Sequence, residues 1–261
     1  MIDFLLYLVL GACSGLLAGL FGIGGGLIIV PVLVFSFTLQ GISAEVLTHL
    51  AVGTSLSAIF FTSINSVIAH HKKGAVAWQM VIWLGAGILF GSALGGVTAS
   101  YIPGENLQQI IGVFCLLMSL QMAANWRPKD QGSGLTKSVM SMAGVVIGWV
   151  SAIFGIGGGS VMVPFLSWKG VDIKKAVATS AACGLPIAFS GAISFVVIGW
   201  NHLELPPNSI GFVYLPALVG IALMSMFSAR VGAQLAHHLN PIMLRRLFAL
   251  LLFVVGVNFL V

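Results

Sequence analysis

The sequence predicts an all-α polytopic membrane protein built from two inverted-topology repeats, with broken or re-entrant helices at two GIGGG segments. Three observations carry this prediction: the composition, an internal duplication and the placement of Lys and Arg. Of 261 residues, 59% are hydrophobic and 7% are charged, where about 25% charged is usual for a soluble domain. Eleven basic and six acidic side chains cannot cover a soluble globule of this size. The composition excludes a disordered chain, a secreted disulfide scaffold and an ordinary cytosolic enzyme. A membrane helix takes roughly 20 residues, so the length accommodates about eight to ten spans and no separate soluble domain.

The elements follow in order as apolar segments. The first half contains 4–20, 27–39, 46–69, 78–100 and 107–125. The second contains 138–154, 160–168, 176–200, 210–229 and 243–261. The opening Met1-Ile2-Asp3 lacks the basic stretch of a cleaved signal peptide, so the first segment reads as part of the mature chain. Between the halves, Arg127-Pro128-Lys129-Asp130-Gln131-Gly132-Ser133-Gly134 is polar and rich in turn formers. The expected organisation is a first membrane repeat over 1–126, a cytoplasmic linker over 127–136 and a second repeat over 137–261.

The duplication is direct. Residues 15–33 read GLLAGLFGIGGGLIIVPVL and residues 148–166 read GWVSAIFGIGGGSVMVPFL, identical at ten of nineteen positions. Ala51-Val52-Gly53-Thr54-Ser55 returns as Ala176-Val177-Ala178-Thr179-Ser180. The stretch from Gly95 to Ile110 resembles that from Gly232 to Leu247. Three matches in the same order make a duplication. The segments flanking each GIGGG are short for full crossings.

Lys and Arg cluster at 72–73, 127–137, 169–175 and 230–246, while the loops 40–45, 101–106 and 201–208 contain none. Cytoplasmic loops collect basic residues. The loop after the Thr54-Ser55 helix carries Lys72 and Lys73 and is therefore inside. The loop after the Thr179-Ser180 helix carries no Lys or Arg and is outside. Equivalent helices thus insert in opposite senses, an architecture common among secondary transporters.

The sharpest chemical signal is Phe21-Gly22-Ile23-Gly24-Gly25-Gly26 with Pro31, and its twin Phe154-Gly155-Ile156-Gly157-Gly158-Gly159 with Pro164. Each glycine weakens a helix by about 1 kcal/mol relative to alanine. Backbone freed inside a bilayer must find partners or line a cavity. Amides exposed at the start of a half-helix suit an anion. The candidate substrate-binding residues are Gly24, Gly25 and Gly26 in the first half, and Gly157, Gly158, Gly159 and Ser160 in the second. The bland alternative is close helix packing through small residues.

Thr54, Ser55, Thr179 and Ser180 join that set as hydroxyl donors, with Ser57 nearby. For them the bland alternative is bonding back to the preceding turn. Asn65 is the amide deep in the Thr54 helix. Ser160 has Leu27 as its counterpart, so the two glycine sites are not equivalent. His49 is the proton-coupling candidate, with a solvated interfacial His as the alternative. His70-His71 and His237-His238 read as cytoplasmic caps rather than metal ligands, and no metal or cofactor is expected. Cys13, Cys115 and Cys183 lie in apolar stretches and read as packing residues.

The missing motifs narrow the function. No GxxxxGK[ST] supports ATP hydrolysis, and no GxSxG elbow occurs. The acids, Asp3, Glu45, Glu105, Asp130, Asp172 and Glu204, lie at ends or loops. Paired-carboxylate catalysis and carboxylate cation cages find no support. Ser55 and His49 stand six residues apart on one helix, too far for a nucleophile and its base. Nucleic acid is excluded as a partner by the lack of a basic soluble face. The expected partners are a small anion and the lipid bilayer, and the small-residue faces leave a homodimer open.

The paired FGIGGG…VP segments, each followed by an A-V-x-T-S helix start, resemble the TauE/SafE family of sulfite-exporter-like transporters over essentially the whole chain. The resemblance implies a multi-pass protein of the bacterial cytoplasmic membrane. It implies a carrier of sulfite, sulfoacetate or related sulfur anions acting through residues 22–26 and 155–159. A compact oxyanion is satisfied by helix N-termini and hydroxyls. An inside-negative potential drives anion export at about 2.3 kcal/mol per charge per 100 mV, without ATP. The alternative is a carrier or channel for another small anion on the same scaffold.

Overall fold

The computed structural model describes residues 2–21, 26–123, 136–236 and 241–260. Among them the chain forms α1 (Ile2–Phe21), α2 (Gly26–Leu39), α3 (Ala44–Lys72), α4 (Trp78–Ser100) and α5 (Gly104–Ala123) in the first half. The second half forms α6 (Lys137–Ile153), α7 (Gly159–Trp168), α8 (Ile173–Gly199), a hairpin of β1 (Ser209–Ile210) and β2 (Val213–Tyr214), α9 (Leu215–Ala236) and α10 (Pro241–Asn258). Each apolar segment expected from the sequence contains a helix. Of the linker expected over 127–136, residues 127–135 lie outside the described residues, and Thr136 caps α6.

Four described helices, α3, α4, α5 and α8, are long and apolar enough to cross a membrane. Large apolar side chains stay exposed along the helices, among them Phe90 at 62%, Leu120 at 62% and Val197 at 65%. Water would make such a surface aggregate, whereas acyl chains solvate it. The chain is an all-α multi-pass membrane protein. At 14 and 10 residues, α2 and α7 reach roughly 21 and 15 Å, short of a hydrocarbon core of about 30 Å.

Packing couples the two halves. Helix α1 packs on α9, and α6, the counterpart of α1, packs on α4. Small residues let the backbones approach. A Cβ on Gly87, Gly91 or Gly95 would strike the α6 backbone at Ser141, Val145 or Trp149. Gly144 and Gly148 press on Leu84 and Ile88, while their counterparts Gly11 and Gly15 press on Ile221 and Ser225. At the centre α3 and α8 run antiparallel: Gly53 meets Phe195, Leu56 meets Gly191 and Ser63 meets Gly184. Their terminal partners α5 and α10 also run antiparallel, with Gly112 against Phe259 and Ser119 bonded to the Ala249 carbonyl.

This arrangement sorts charge to the two ends of the bundle. The described lysines, 72, 73, 137, 169, 174 and 175, gather where α3 and α7 end and α4, α6 and α8 begin. Glu45, Glu105 and Glu204 lie at the opposite end, where the Ser43 hydroxyl donates to the Glu204 carboxylate at 2.7 Å.

The span expected over 210–229 differs from the structure. Residues 209–214 form an antiparallel hairpin, and the helix begins only at Leu215. Gly211 stands first in the two-residue turn with φ 54°, as a II′-type hairpin requires. The tip is driven between α3 and α8. The Phe212 N–H donates to the Phe195 carbonyl at 3.1 Å, and side chains on Gly53 or Gly199 would collide with the Phe212 backbone.

Candidate functional site

The second glycine motif consists of a helix stop and a helix restart. Helix α6 ends with the Ile156 N–H donating to the Ser151 carbonyl at 2.9 Å and the Gly155 N–H to the Ala152 carbonyl at 3.3 Å. That pair of bonds is a Schellman cap, and Gly155 supplies its left-handed residue at φ 63°. The turn is held from α3, where the Ser55 hydroxyl donates to the Gly155 carbonyl at 2.8 Å. Gly155 leaves no room for a side chain, because a Cβ would lie 2.7 Å from Val30 Cγ2 and 3.1 Å from Val52 Cα.

The first motif meets the second at this turn. A Cβ on Gly26, the first residue of α2, would lie 2.6 Å from Ile156 Cα and 2.8 Å from the Gly155 carbonyl oxygen. Gly24 and Gly25 lie outside the described residues.

Helix α7 restarts at Gly159 with Gly158 as N-cap, and the Met162 N–H donates to the Gly158 carbonyl at 2.8 Å. Gly157 and Gly158 are buried, Gly159 is half-buried. The opening amides of a helix have no partner inside it and carry its positive end. Two hydroxyls stand at this start. Ser160, 9% exposed, and Ser180, 1% exposed, both have a buried Oγ without a hydrogen-bond partner. Ser180 Oγ lies 3.6 Å from where a Cβ on Gly158 would sit. A buried hydroxyl left unpaired costs about 1–3 kcal/mol, a standing cost that a ligand accepting from it would offset.

The remaining candidates have protein partners. Thr54 Oγ1 accepts the Tyr214 N–H at 3.0 Å, and Thr179 Oγ1 accepts the Ala77 N–H at 3.2 Å. Each threonine thereby fixes the start of a helix in the other half, α9 for Thr54 and α4 for Thr179. Ser55 spends its donor on Gly155. Ser57 bonds back to the Gly53 carbonyl at 2.9 Å. Asn65 is half-buried, ten residues beyond Ser55 and so roughly 15 Å along α3.

His49 is buried, at 5% exposure, rather than solvated. Its Nε2 lies 3.0 Å from the Ala99 carbonyl at the end of α4. A carbonyl only accepts, so Nε2 carries the proton and Nδ1 is a bare acceptor. That Nδ1 is buried without a partner. At the lysine end, His71 Nδ1 accepts the Trp78 indole N–H at 3.1 Å. The described residues hold no cluster of three metal-ligating side chains; His237 and His238 lie outside them.

Two features escaped the sequence: the wedge made by Phe212, and His202, whose ring lies 5.5 Å from that of Phe212. Pro206-Pro207-Asn208 ahead of Gly211 is the turn signal that marks the hairpin. Every buried polar side chain among the described residues is Ser, Thr or His49, and none is a Lys, Arg, Asp or Glu. Among the described residues, an anion in the interior would meet backbone amides, hydroxyls and His49, and no Lys or Arg.

Known proteins place the chain. The model of the family described as sulfite exporter TauE/SafE matches residues 7–259. A probable membrane transporter protein of Haemophilus influenzae is 39% identical over 256 residues, covering 97% of each chain. One from Methanocaldococcus jannaschii is 31% identical, covering 96% of this chain and 93% of its own. The probable membrane transporter protein YunE of Bacillus subtilis is 28% identical over 97% of this chain and 96% of its own. No solved structure matches. A family match across nearly the whole length, on an apolar helical scaffold carrying both glycine motifs, makes this chain a member of the TauE/SafE family of membrane transporters.

Proposed function

We propose that this transporter is a secondary carrier. It exports a small sulfur-containing anion, sulfite or an organosulfonate such as sulfoacetate, across the bacterial cytoplasmic membrane. The observation that carries the anion site is the start of α7, where the hydroxyls of Ser160 and Ser180 are buried without partners beside the helix amides. Gly157, Gly158 and Gly159 let the ligand approach the backbone. Ser55 holds the Gly155 turn ahead of this start, Gly26 meets the same turn from the other half, and Thr54 and Thr179 pin the neighbouring helices α9 and α4.

What supports two inverted repeats is the antiparallel packing of equivalent helices, α3 on α8 and α5 on α10. What supports a cytoplasmic lysine end is the general excess of basic residues on that side of membranes. Short α2 and α7, starting near one another, fit half-helices that meet inside the bilayer. Rocking of one repeat against the other would then expose the site to each side in turn. The membrane potential or a proton supplies the drive, with His49 as the titrating group.

The test is uptake of radiolabelled sulfite into proteoliposomes, with unlabelled sulfoacetate, taurine, thiosulfate and sulfate as competitors. It is run with and without a pH gradient. Saturable uptake blocked by one competitor assigns the substrate class. No uptake by folded protein removes the sulfur anions, and non-saturating flux makes the protein a channel.

A further inference from the structure

The two ends of the bundle are not closed alike. Ala77 and Tyr214 are equivalent positions, since each donates its N–H to the equivalent threonine of the opposite half. Two residues earlier, Ala75 is therefore the counterpart of Phe212. Ala75 is half-buried in the loop at the lysine end. Phe212 is 4% exposed and wedged between α3 and α8 at the other end. Among the described residues, the loop equivalent to the hairpin carries no such aromatic wedge.

Two histidines lie against that wedge. The His49 ring lies 5.2 Å from the Phe212 ring at 32°, and the His202 ring 5.5 Å away at 52°. Both rings have a buried Nδ1 without a hydrogen-bond partner. Among the described residues at this end, the ionisable groups on the elements packed around them are Glu45 on α3, Tyr101 after α4, Glu105 on α5, Glu204 beside His202, Tyr214 on the hairpin and Tyr7 on α1; Cys183 lies further along α8, and Lys174 and Lys175 stand at its far, lysine-rich end. No Lys or Arg occurs in the loops at this end.

We infer that His49 and His202 form a proton-binding pair that clamps Phe212 while neutral and releases the hairpin of residues 209–214 when protonated. The hairpin is then the gate at the lysine-poor end. In the neutral pair the His49 Nδ1 is a bare acceptor, and the His202 Nδ1 is buried without a partner. Protonation adds a buried charge at a nitrogen that has no hydrogen-bond partner in this packing. The attraction of an imidazolium for the Phe212 face is weaker than the cost of burying that unpaired charge. Two like charges against one ring add repulsion. Moving outward relieves both, because solvent and the carboxylates of Glu45, Glu105 and Glu204 lie at that end. This gate rests on the carrier reading for its purpose, but its motion is measured without any substrate.

The experiment uses the full chain in lipid nanodiscs, with Cys13, Cys115 and Cys183 replaced by alanine. Spin labels go on Ile210→Cys, beside the hairpin tip, and Asn106→Cys, at the start of α5. Pulsed electron double resonance reads the distance at about pH 8 and about pH 5, either side of the ordinary histidine range. The expected result is a shift to longer distance in acid, halved or more in His202→Gln and abolished in His49→Gln/His202→Gln. His202 lies in a loop, so its single variant keeps the test valid if the double variant does not fold. An unchanged distance in the parent, or an undiminished shift in His202→Gln, overturns the gate. A pH-driven shift in a protein that moves no sulfur anion leaves the gate standing and removes only the substrate.

Discussion

Gly155→Ala tests whether the glycine motif is built for backbone geometry. Gly155 has φ 63°, and an added Cβ would lie 2.7 Å from Val30 Cγ2 and 3.1 Å from the Val52 backbone. Holding alanine in the left-handed region costs about 1–2 kcal/mol. Overpacking a tight interior adds about 1–3 kcal/mol, so the total is about 2–5 kcal/mol. Gly74 is the internal control. It has the same φ of 63°, and a Cβ added there would meet nothing within 4 Å, so Gly74→Ala carries the backbone cost alone. The smaller unfolded-state entropy of alanine favours both variants equally and cancels in the difference. The assay is thermal unfolding of the purified full chain in detergent, followed by tryptophan fluorescence. At roughly 2–4 °C per kcal/mol for a chain of this size, Gly155→Ala should melt several degrees below Gly74→Ala. Equal losses in the two variants would refute the packing argument and leave the Schellman turn as the whole explanation for Gly155.

The remaining predictions concern hydroxyls and helix contacts. Ser180→Ala and Ser160→Ala should each raise the KM for the transported anion about 10- to 150-fold, the loss of one charge-assisted bond of about 1.5–3 kcal/mol. Neither should lower the melting temperature, since neither hydroxyl has a protein partner; an unchanged KM takes that hydroxyl out of the site. Thr54→Val should destabilise by about 0.5–1.5 kcal/mol, because it removes the hydroxyl that accepts the Tyr214 N–H. Thr179→Val should do the same through Ala77, and melting curves that match the parent would deny the exchange of caps. Gly91→Leu forces α4 off the Val145 backbone of α6 and should cost about 3 kcal/mol or more. Gly85→Ala, whose Cβ would lie 4.0 Å from Pro186, should be close to neutral in the same unfolding assay.

Much of this protein is written in one dimension. Exclusion of charge determined the membrane class, because no soluble surface can be made from so few polar side chains. The apolar segments determined the helices, and the expected 78–100 coincides with Trp78–Ser100, because a run of apolar residues in lipid must bond its backbone within itself. The duplication determined which elements correspond. What the sequence could not decide is how each polar atom spends its bonding capacity. Ser55 and Ser180 are twins by sequence. Yet Ser55 donates to a carbonyl 100 positions away, and Ser180 keeps its hydroxyl unpaired. Thr54 reaches a partner 160 positions distant. Phe212 belongs to the apolar run expected to be helix, and only the gap left by Gly53 and Gly199 turns it into a wedge. Composition and periodicity report the solvent that each segment prefers. The pairing of individual donors and acceptors depends on which segments the fold brings within about 3 Å, the reach of a hydrogen bond, and that is a property of the tertiary structure alone.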